Sequence, residues 1–185
     1  MLAKSSNTSY GTVAISIHWM SAVLIIAALV SGFRAANTTD LAAKAQVLSV
    51  HAPLAIAVVL LTLARLAWWW FADKKPSPLA GTPNWQHKSA TAVHRLFYIV
   101  IFGMGASGIG MLILSGAGPI IFGGAEGHLP DFWNFKPRIP HGIGARLLVI
   151  LLFIHIGAAL DHHFILRDGS LKRMRFGNDK ELVKK

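Results

Sequence analysis

Four long apolar runs, separated by polar stretches rich in proline and glycine, dominate the pattern of this chain. They cover about residues 13–33, 47–71, 93–115 and 141–164. A helix needs about 20 apolar residues to cross a hydrocarbon core about 30 Å thick, and each run is close to that length or longer. The pattern therefore predicts an all-α fold, an integral membrane four-helix bundle that forms a single membrane domain over residues 1–185.

The segments that flank the runs agree with this prediction. The second run ends in Trp68, Trp69 and Trp70, which is typical of the aromatic belt at a membrane interface. A turn-rich loop with several prolines follows it, and a long Gly- and Pro-rich loop covers residues 116–140. A signal peptide is the alternative for the first run, but that run is longer than a usual h-region and has no clean small-x-small cleavage site before Asn37.

Composition narrows the possible chemistry. Of the 185 residues, 54% are hydrophobic and only 14% are charged, which suits membrane lipid as the surrounding medium. Four spans leave no room for a nucleotide-binding or iron–sulfur domain. The chain has no cysteine, so disulfides, thiolate-ligated clusters and covalent c-type heme are excluded. Any heme in this protein is therefore held noncovalently.

The formal net charge of +10 is explained by membrane orientation rather than by nucleic-acid binding. With the N-terminus inside, the inner segments hold 13 of the 18 Lys and Arg residues: Lys4, Arg65, Lys74, Lys75, Lys88, Arg95, Arg167, Lys172, Arg173, Arg175, Lys180, Lys184 and Lys185. The outer segments hold Arg34, Lys44, Lys136, Arg138 and Arg146. The positive-inside rule then predicts that both termini are cytoplasmic, and no nucleic-acid partner is expected.

Five of the nine histidines lie in the apolar runs or at their ends: His18, His51, His94, His141 and His155. Ionisable residues are rare there unless they are paired or functional. A lone histidine of this kind is about as often bonded to a backbone carbonyl as to a metal. The five positions taken together favour ligation, because they fall at two depths of the membrane.

His141 and His155 share the last predicted helix and are separated by about 21 Å of helical rise, on nearly the same side. His51 lies near the outer end of helix 2, at the level of His141. At the inner level, His155 pairs with either His18 or His94, and the spacing leaves both open. Neutral imidazoles at two depths predict two bis-histidine b-type hemes in the core of the bundle.

Two further residues lie on the same helix faces. Arg65 follows His51 by the same 14 residues, which favours a contact with a propionate of the inner heme, although snorkelling to the interface is an equal alternative. His162 lies two turns beyond His155, about 10 Å nearer the cytoplasm. It is placed to bind a quinone carbonyl and deliver a proton, and an interfacial histidine without a role is the alternative. His87, His128 and His163 have no predicted role.

The chain resembles the bacterial cytochrome b561 family in the segment around His18-Trp19, in the segment 153–164 that contains His155 and His162, and in the ending Lys172-Arg173-Met174. That family is related to the cytochrome b subunits of formate dehydrogenase and nickel-iron hydrogenase. The resemblance implies two heme b groups, with His18 and His155 as axial ligands of the inner heme iron. It likewise implies His51 and His141 as the ligands of the outer one.

Stand-alone members that look most similar are superoxide oxidases, enzymes of the inner membrane that pass electrons from periplasmic superoxide to ubiquinone. The resemblance implies that His162 and a loop lysine, here Lys74 or Lys75, contact the quinone. Both lysines precede the prolines of the loop, which departs from the family pattern. On the outer side, Lys136, Arg138 and Arg146 could attract superoxide, and ordinary loop solvation is their alternative role.

Two other functions remain as alternatives. The first is an electron-transfer subunit that exchanges electrons between a redox partner protein, such as a dehydrogenase or hydrogenase, and quinone. The second is a membrane di-iron enzyme with a histidine box formed by His155, His162 and His163. Such a box needs more histidines at one interface than this chain provides, since the candidate ligands divide between two depths.

Overall fold

The protein is built from four long helices and one short helix, as seen in a computed structural model that describes residues 2–79, 81–125 and 127–176. In chain order these are α1 (Thr12–Asn37), α2 (Leu41–Ala67), α3 (Asn84–Ser115), the short α4 (Gly118–Gly123) and α5 (Arg138–Phe164). A π-helical turn, Trp68–Ala72, extends α2, and 3-10 turns cover Phe132–Asn134 and Leu171–Met174. The described ranges contain no strand, which confirms the all-α prediction. Lys180, Lys184 and Lys185 of the predicted basic tail lie outside the described residues.

The long helices extend beyond the apolar runs that predict them, most clearly at the start of α3. The apolar pattern begins near residue 93, whereas α3 begins at Asn84. Pro83 precedes it and accepts hydrogen bonds from the N–H groups of Gln86 (3.0 Å) and His87 (3.3 Å). Proline suits this position because its fixed φ is compatible with a helical first turn. The first turns of α3 are polar, so the hydrophobic pattern could not reveal them.

All four long helices are long and apolar enough to cross a membrane. In their most apolar windows, only 11% to 22% of the residues are buried inside the protein. Large apolar side chains such as Val23, Ile113 and Phe153 are 65%, 73% and 75% exposed. Apolar surface on this scale would be unfavourable in water and is favourable against lipid.

The chain forms two compact units. Within the described residues, the first unit contains the N-terminal segment up to Met20, Leu61–Phe97 and the chain from Ile150 to Phe176. The second unit contains Ser21–Leu60 and Tyr98–Val149. Each long helix contributes one end to each unit. The inner-level histidines His18, His94 and His155 therefore belong to the first unit, and His51 and His141 belong to the second.

In the second unit, the segment after α3 folds onto the helices and forms a small core. Ala117, Ile121 and Leu129 are buried there, and Leu48 and Leu112 pack against them. Gly116 and Gly124 flank α4 with φ of 65° and 60°, a conformation that glycine adopts without steric cost. The sharp turns at these glycines allow α4 to lie against α2 and α3.

In the first unit, Asp73 connects the N-terminal segment to the end of α2. Its carboxylate accepts hydrogen bonds from Ser5 N (3.1 and 3.0 Å), Ser5 Oγ (2.7 Å), Trp68 Nε1 (3.2 Å) and Lys74 N (2.8 Å). Desolvation acts to raise the pKa of Asp73, but these hydrogen bonds outweigh it and hold the pKa below its ordinary value. The ionised carboxylate is therefore the acceptor that this junction requires.

Arg173 makes a second connection at the same end of the first unit. Its guanidinium donates to the carbonyl oxygens of Thr8 (2.7 Å), Asn7 (3.4 Å) and Ser77 (2.8 Å), and it lies 6.0 Å from the centroid of the Tyr10 ring. Three separate segments, namely the N-terminus, the loop after α2 and the tail after α5, are thus joined by one cation.

We predict that the N-terminal segment loosens at acid pH through Asp73. Because the folded-state pKa is lowered, the stabilisation is present above pH of about 4 and is lost as the pH falls through that lowered value. Asp73→Asn should loosen the segment even at pH of about 5 and remove the pH dependence. Limited pepsin cleavage of the detergent-solubilised protein measures this.

Asp40→Asn is the matched control, because Asp40 caps α2 in the second unit by accepting from Ala43 N (2.7 Å), whereas the N-terminal segment belongs to the first unit. Equal cleavage rates for wild type and Asp73→Asn at pH of about 5 would contradict the prediction.

Candidate functional site

His51 on α2 and His141 on α5 face each other in the second unit. Their ring centroids are 6.2 Å apart and their planes are inclined by 82°. Metal–imidazole nitrogen bonds of about 2 Å on opposite sides of one iron place two ring centroids roughly 6 Å apart. The predicted outer pair is therefore at a spacing that suits an iron atom between the two rings.

Hydrogen bonds from α1 fix which nitrogen of His51 is free. Nδ1 lies 3.0 Å from the Ala28 carbonyl oxygen and 3.2 Å from Ser31 Oγ. A carbonyl oxygen can only accept, so Nδ1 carries the proton. Nε2 is then unprotonated and available to a metal. This is the arrangement by which metal-bound histidines are usually oriented.

His141 is held in the same way by α3. Its Nδ1 lies 3.1 Å from the Met104 carbonyl oxygen and 3.1 Å from Ser107 Oγ. Ser107 in turn donates to the Met104 carbonyl (3.0 Å), just as Ser31 donates to the carbonyls of its own helix. Two neighbouring helices thus present the same combination of a carbonyl and, three residues later, a serine.

A glycine follows each of these serines, and each glycine lies against a histidine ring. A Cβ added at Gly32 would lie 2.9 Å from His51 Cε1, closer than real Cβ contacts allow. At Gly108 it would lie 3.4 Å from His141 Cε1. We call residues 28–32 and 104–108 the Ser–Gly segments. Each segment orients one imidazole and leaves room for its ring.

In the first unit, three histidines lie together. The ring of His155 on α5 is 6.1 Å from that of His18 on α1 and 5.6 Å from that of His94 on α3. Phe97 also packs on His155, with centroids 5.6 Å apart. Both predicted inner pairs are therefore present at similar distances, and the ring spacings do not choose between them.

Arg65 and Trp69 carry buried donors beside this cluster. Arg65 Nη1 lies 3.5 Å from His18 Nδ1, and Arg65 Nε has no hydrogen-bond partner among the described residues. Trp69 Nε1 is also buried without a partner in that part of the chain. Buried N–H groups without an acceptor are costly, and a guanidinium is always charged. The site thus has donors that suit a carboxylate such as a heme propionate.

Of the two predicted loop lysines, Lys75 is the one associated with this group. Its Nζ lies 5.8 Å from the centroid of the Trp69 ring. Desolvation lowers the pKa of Lys75, and the nearby cations Arg65 and Arg95 lower it further. Lys74 donates its backbone N–H to Asp73, and both lysine residues are exposed. The cations beside the inner histidines therefore suit an anionic group.

His162, near the end of α5, pairs with a residue that the sequence pattern did not single out. Its Nδ1 lies within hydrogen-bonding distance of Asp168 Oδ2, in the turn after the helix. No motif in the sequence distinguishes Asp168 from the other acidic residues of the chain. The only signal available was its position six residues beyond His162.

Arg138 and Arg146 flank Gly142, the residue after His141. A Cβ at Gly142 would lie 2.8 Å from Arg138 Nη1 and 3.5 Å from Arg146 Nη1. Arg138 also lies 4.5 Å from the centroid of the Trp133 ring, and Arg146 donates to the Gly142 carbonyl (2.9 Å). Two of the three cations predicted to attract superoxide are thus close to the residue that follows His141.

The predicted histidine box does not form a metal site in the described ranges. No group of three or more His, Asp or Glu side chains there is arranged to hold a metal ion. His163 packs instead on Phe164, with ring centroids 4.7 Å apart. The paired histidines, and not a carboxylate-rich cluster, are the candidates for metal ligation.

Comparison with known proteins identifies the family of this chain. A profile described as prokaryotic cytochrome b561 matches residues 9–177. The chain is 31% identical over 102 residues to cytochrome b561 homolog 1 of Escherichia coli (strain K12), a match that covers 54% of this chain and 58% of that protein. It is 25% identical over 181 residues to cytochrome b561 homolog 2 of the same organism, covering 89% of this chain and 90% of the other. The chain therefore belongs to the prokaryotic cytochrome b561 family, and it is a multi-pass membrane protein of the kind that transfers electrons through b-type heme.

Proposed function

We propose that this protein is a superoxide:ubiquinone oxidoreductase of the bacterial inner membrane, with both termini in the cytoplasm and two b hemes. The observation that carries the proposal is the pairing of His51 with His141 at the spacing of a two-sided iron site, with Nδ1 of each ring bonded to a helix carbonyl. A second histidine pair in the first unit supports a second heme. A heme held by each of these pairs would supply one-electron chemistry.

At the inner heme we assign His18 and His155 as the iron ligands. The resemblance to the family favours His18, and the 6.1 Å spacing of its ring from that of His155 is compatible with it. Arg65 and Lys75 then neutralise heme propionates, since Arg65 has an unused buried N–H and Lys75 is near enough for Arg65 to lower its pKa. Lys74, at the surface of the same loop, remains a second candidate for quinone contact.

On the outer side, Arg138, Arg146 and Lys136 attract superoxide, which is an anion, toward the second unit. The two arginines lie beside Gly142 and so next to a proposed heme ligand. These cations would bring the anion close to the heme that His51 and His141 would hold, and that heme would supply the one-electron chemistry. On the inner side, His162 donates to a ubiquinone carbonyl and provides a proton.

We predict that the two histidine pairs fail separately. Pyridine hemochrome analysis of the purified protein should give two b hemes per chain. His51→Ala or His141→Ala should remove one low-spin heme, and His18→Ala or His155→Ala should remove the other, because an axial ligand is lost in each case. Optical and electron paramagnetic resonance spectra measure this. Loss of the inner heme in His94→Ala but not in His18→Ala would overturn the inner assignment.

We predict that Gly32→Ala disturbs only the outer heme. The new Cβ would lie 2.9 Å from His51 Cε1, so the ring must move from its iron-binding position. Changes of this kind beside a metal ligand typically weaken metal affinity about 10- to 100-fold. Heme content and the outer-heme redox titration are the measurements. Gly103→Ala is the matched control in the same unit, because nothing lies within 4 Å of its added Cβ. If both variants kept full heme content, the role of the Ser–Gly segment would be wrong.

We predict that an enzymatic superoxide flux reduces the hemes of the purified protein and that a soluble ubiquinone analogue reoxidises them. The reduction rate should fall as ionic strength rises, because salt screens the attraction of the anion. Arg146→Gln should slow reduction, whereas Lys44→Gln, in the first turn of α2, serves as the control. Hemes that do not respond to superoxide but are reoxidised by quinone would exclude the oxidase and favour an electron-transfer subunit with a protein donor.

A further inference from the structure

The chain reverses direction directly after α5, and the reversal returns Asp168 to His162. Arg167 and Gly169 have φ of 51° and 82°, and residues other than glycine rarely adopt this conformation. The Asp168 N–H donates to the His162 carbonyl oxygen over 3.3 Å. Their side chains meet as well, through His162 Nδ1 and Asp168 Oδ2. One backbone contact and one side-chain contact thus hold these two residues together.

The Asp168 carboxylate divides its oxygens between two donors. Oδ2 faces His162, while Oδ1 accepts from Ser170 N over 2.8 Å. Ser170 Oγ lies 3.5 Å from His162 Nδ1. The side chains of His162 and Asp168 are 25% and 26% exposed, so the pair is shielded but still reaches water.

The charge of Asp168 decides the form of the imidazole. Partial burial acts to raise the pKa of Asp168, but the hydrogen bonds from Ser170 and His162 outweigh this effect and hold the pKa below its ordinary value. The carboxyl is therefore ionised at neutral pH and can only accept hydrogen bonds. The proton of the shared hydrogen bond lies on Nδ1, and Nε2 is the nitrogen that can serve another partner.

Closing the helix does not require this pairing. The N–H groups of Ile165 and Leu166 donate to the Asp161 carbonyl oxygen over 2.9 and 3.0 Å, so backbone bonds already end α5. The carboxylate of Asp168 adds a contact that acts on the His162 ring. Ending the helix would not require a contact between this carboxylate and the His162 imidazole.

We infer that Asp168 is a positioning residue that orients His162 so that Nε2 delivers a proton to the quinone. The inference rests on the proposed quinone reduction and adds a residue to it. One ubiquinone becomes ubiquinol by taking two electrons, which arrive singly through the proposed heme pathway, and two protons, one on each carbonyl oxygen. His162 gives one proton from Nε2 and recovers it from water, and the second proton comes from water at the membrane surface. The carboxylate offsets the positive charge on the ring when both of its nitrogens are protonated.

Steady-state quinone reduction by the two-heme protein tests this inference. Asp168→Asn keeps the shape and an acceptor for Ser170 N but loses the charge, so kcat should fall about 10-fold or more while KM for the quinone stays within about twofold. Asp168→Glu keeps the charge and should retain most of the rate. Asp161→Asn is the matched control, an exposed acid on the same helix end, and should behave as wild type.

Double substitution separates this role from a structural one. Because Asp168 acts through His162, adding Asp168→Asn to His162→Gln should cause no further loss of kcat. Equal kcat for wild type and Asp168→Asn, equal kcat for the Asn and Glu variants, or an additive loss in the double variant would overturn the inference. Unchanged heme spectra in every variant show that the bundle is intact.

A readout independent of turnover is the tautomer of His162. The experiment uses the ¹⁵N-histidine NMR spectrum of the dithionite-reduced protein, because low-spin ferrous hemes are diamagnetic. The signal of His162 is identified as the one that is lost in His162→Gln. In wild type this signal should show a protonated Nδ1. In Asp168→Ala that signal should shift toward the other tautomer, and an unchanged signal would overturn the inference. If quinone failed to reoxidise wild-type hemes, both the proposed function and the inference about Asp168 would be wrong. If quinone reoxidised the hemes and His162→Gln slowed the reaction but Asp168→Asn did not, only the role of Asp168 would be wrong.

Discussion

A histidine that binds iron inside a membrane has two ring nitrogens, and both must be satisfied where water is absent. If Nε2 ligates the metal, Nδ1 must donate its proton to an acceptor that has been left unused by the regular helix bonds or can accept a second bond. Helix carbonyl oxygens meet this need because each has two lone pairs. In the second unit, Ala28 and Met104 serve in this way for His51 and His141. The close approach of a ring to a backbone carbonyl then requires a small residue beside it, which explains Gly32 and Gly108.

The two units use different chemistry around their histidines. In the second unit, neutral carbonyls and hydroxyls bond the two rings, and Arg138 and Arg146 lie beside Gly142, the residue after His141. In the first unit, Arg65 acts on His18, and Lys75 and Arg95 add positive charge nearby. His162 and its carboxylate partner lie in the same unit, where protons from the cytoplasm would be available.

The apolar pattern predicted the four spans because burial in lipid requires long continuous apolar runs. Helical periodicity then predicted which residues share one side of a helix. It missed the first turns of α3 and the short α4, since neither carries that pattern. Helical spacing predicted the outer pair, His51 with His141, but it could not choose between His18 and His94 for the inner pair. Their ring centroids lie 6.1 and 5.6 Å from that of His155, so both are close to it. Asp168 was beyond prediction, since its contact with His162 depends on the turn at Arg167 and Gly169, whose shape sequence periodicity does not encode.

The Ser–Gly segments contain no charged side chain, and this affects how the protein is made. Ser31 and Ser107 already donate to carbonyls of their own helices, so neither helix exposes an unsatisfied hydroxyl when it enters the bilayer. The spans that orient the outer ligands can therefore be inserted during synthesis as ordinary apolar helices. Insertion of these spans therefore does not depend on heme, because the carbonyl groups that orient His51 and His141 belong to the helices themselves.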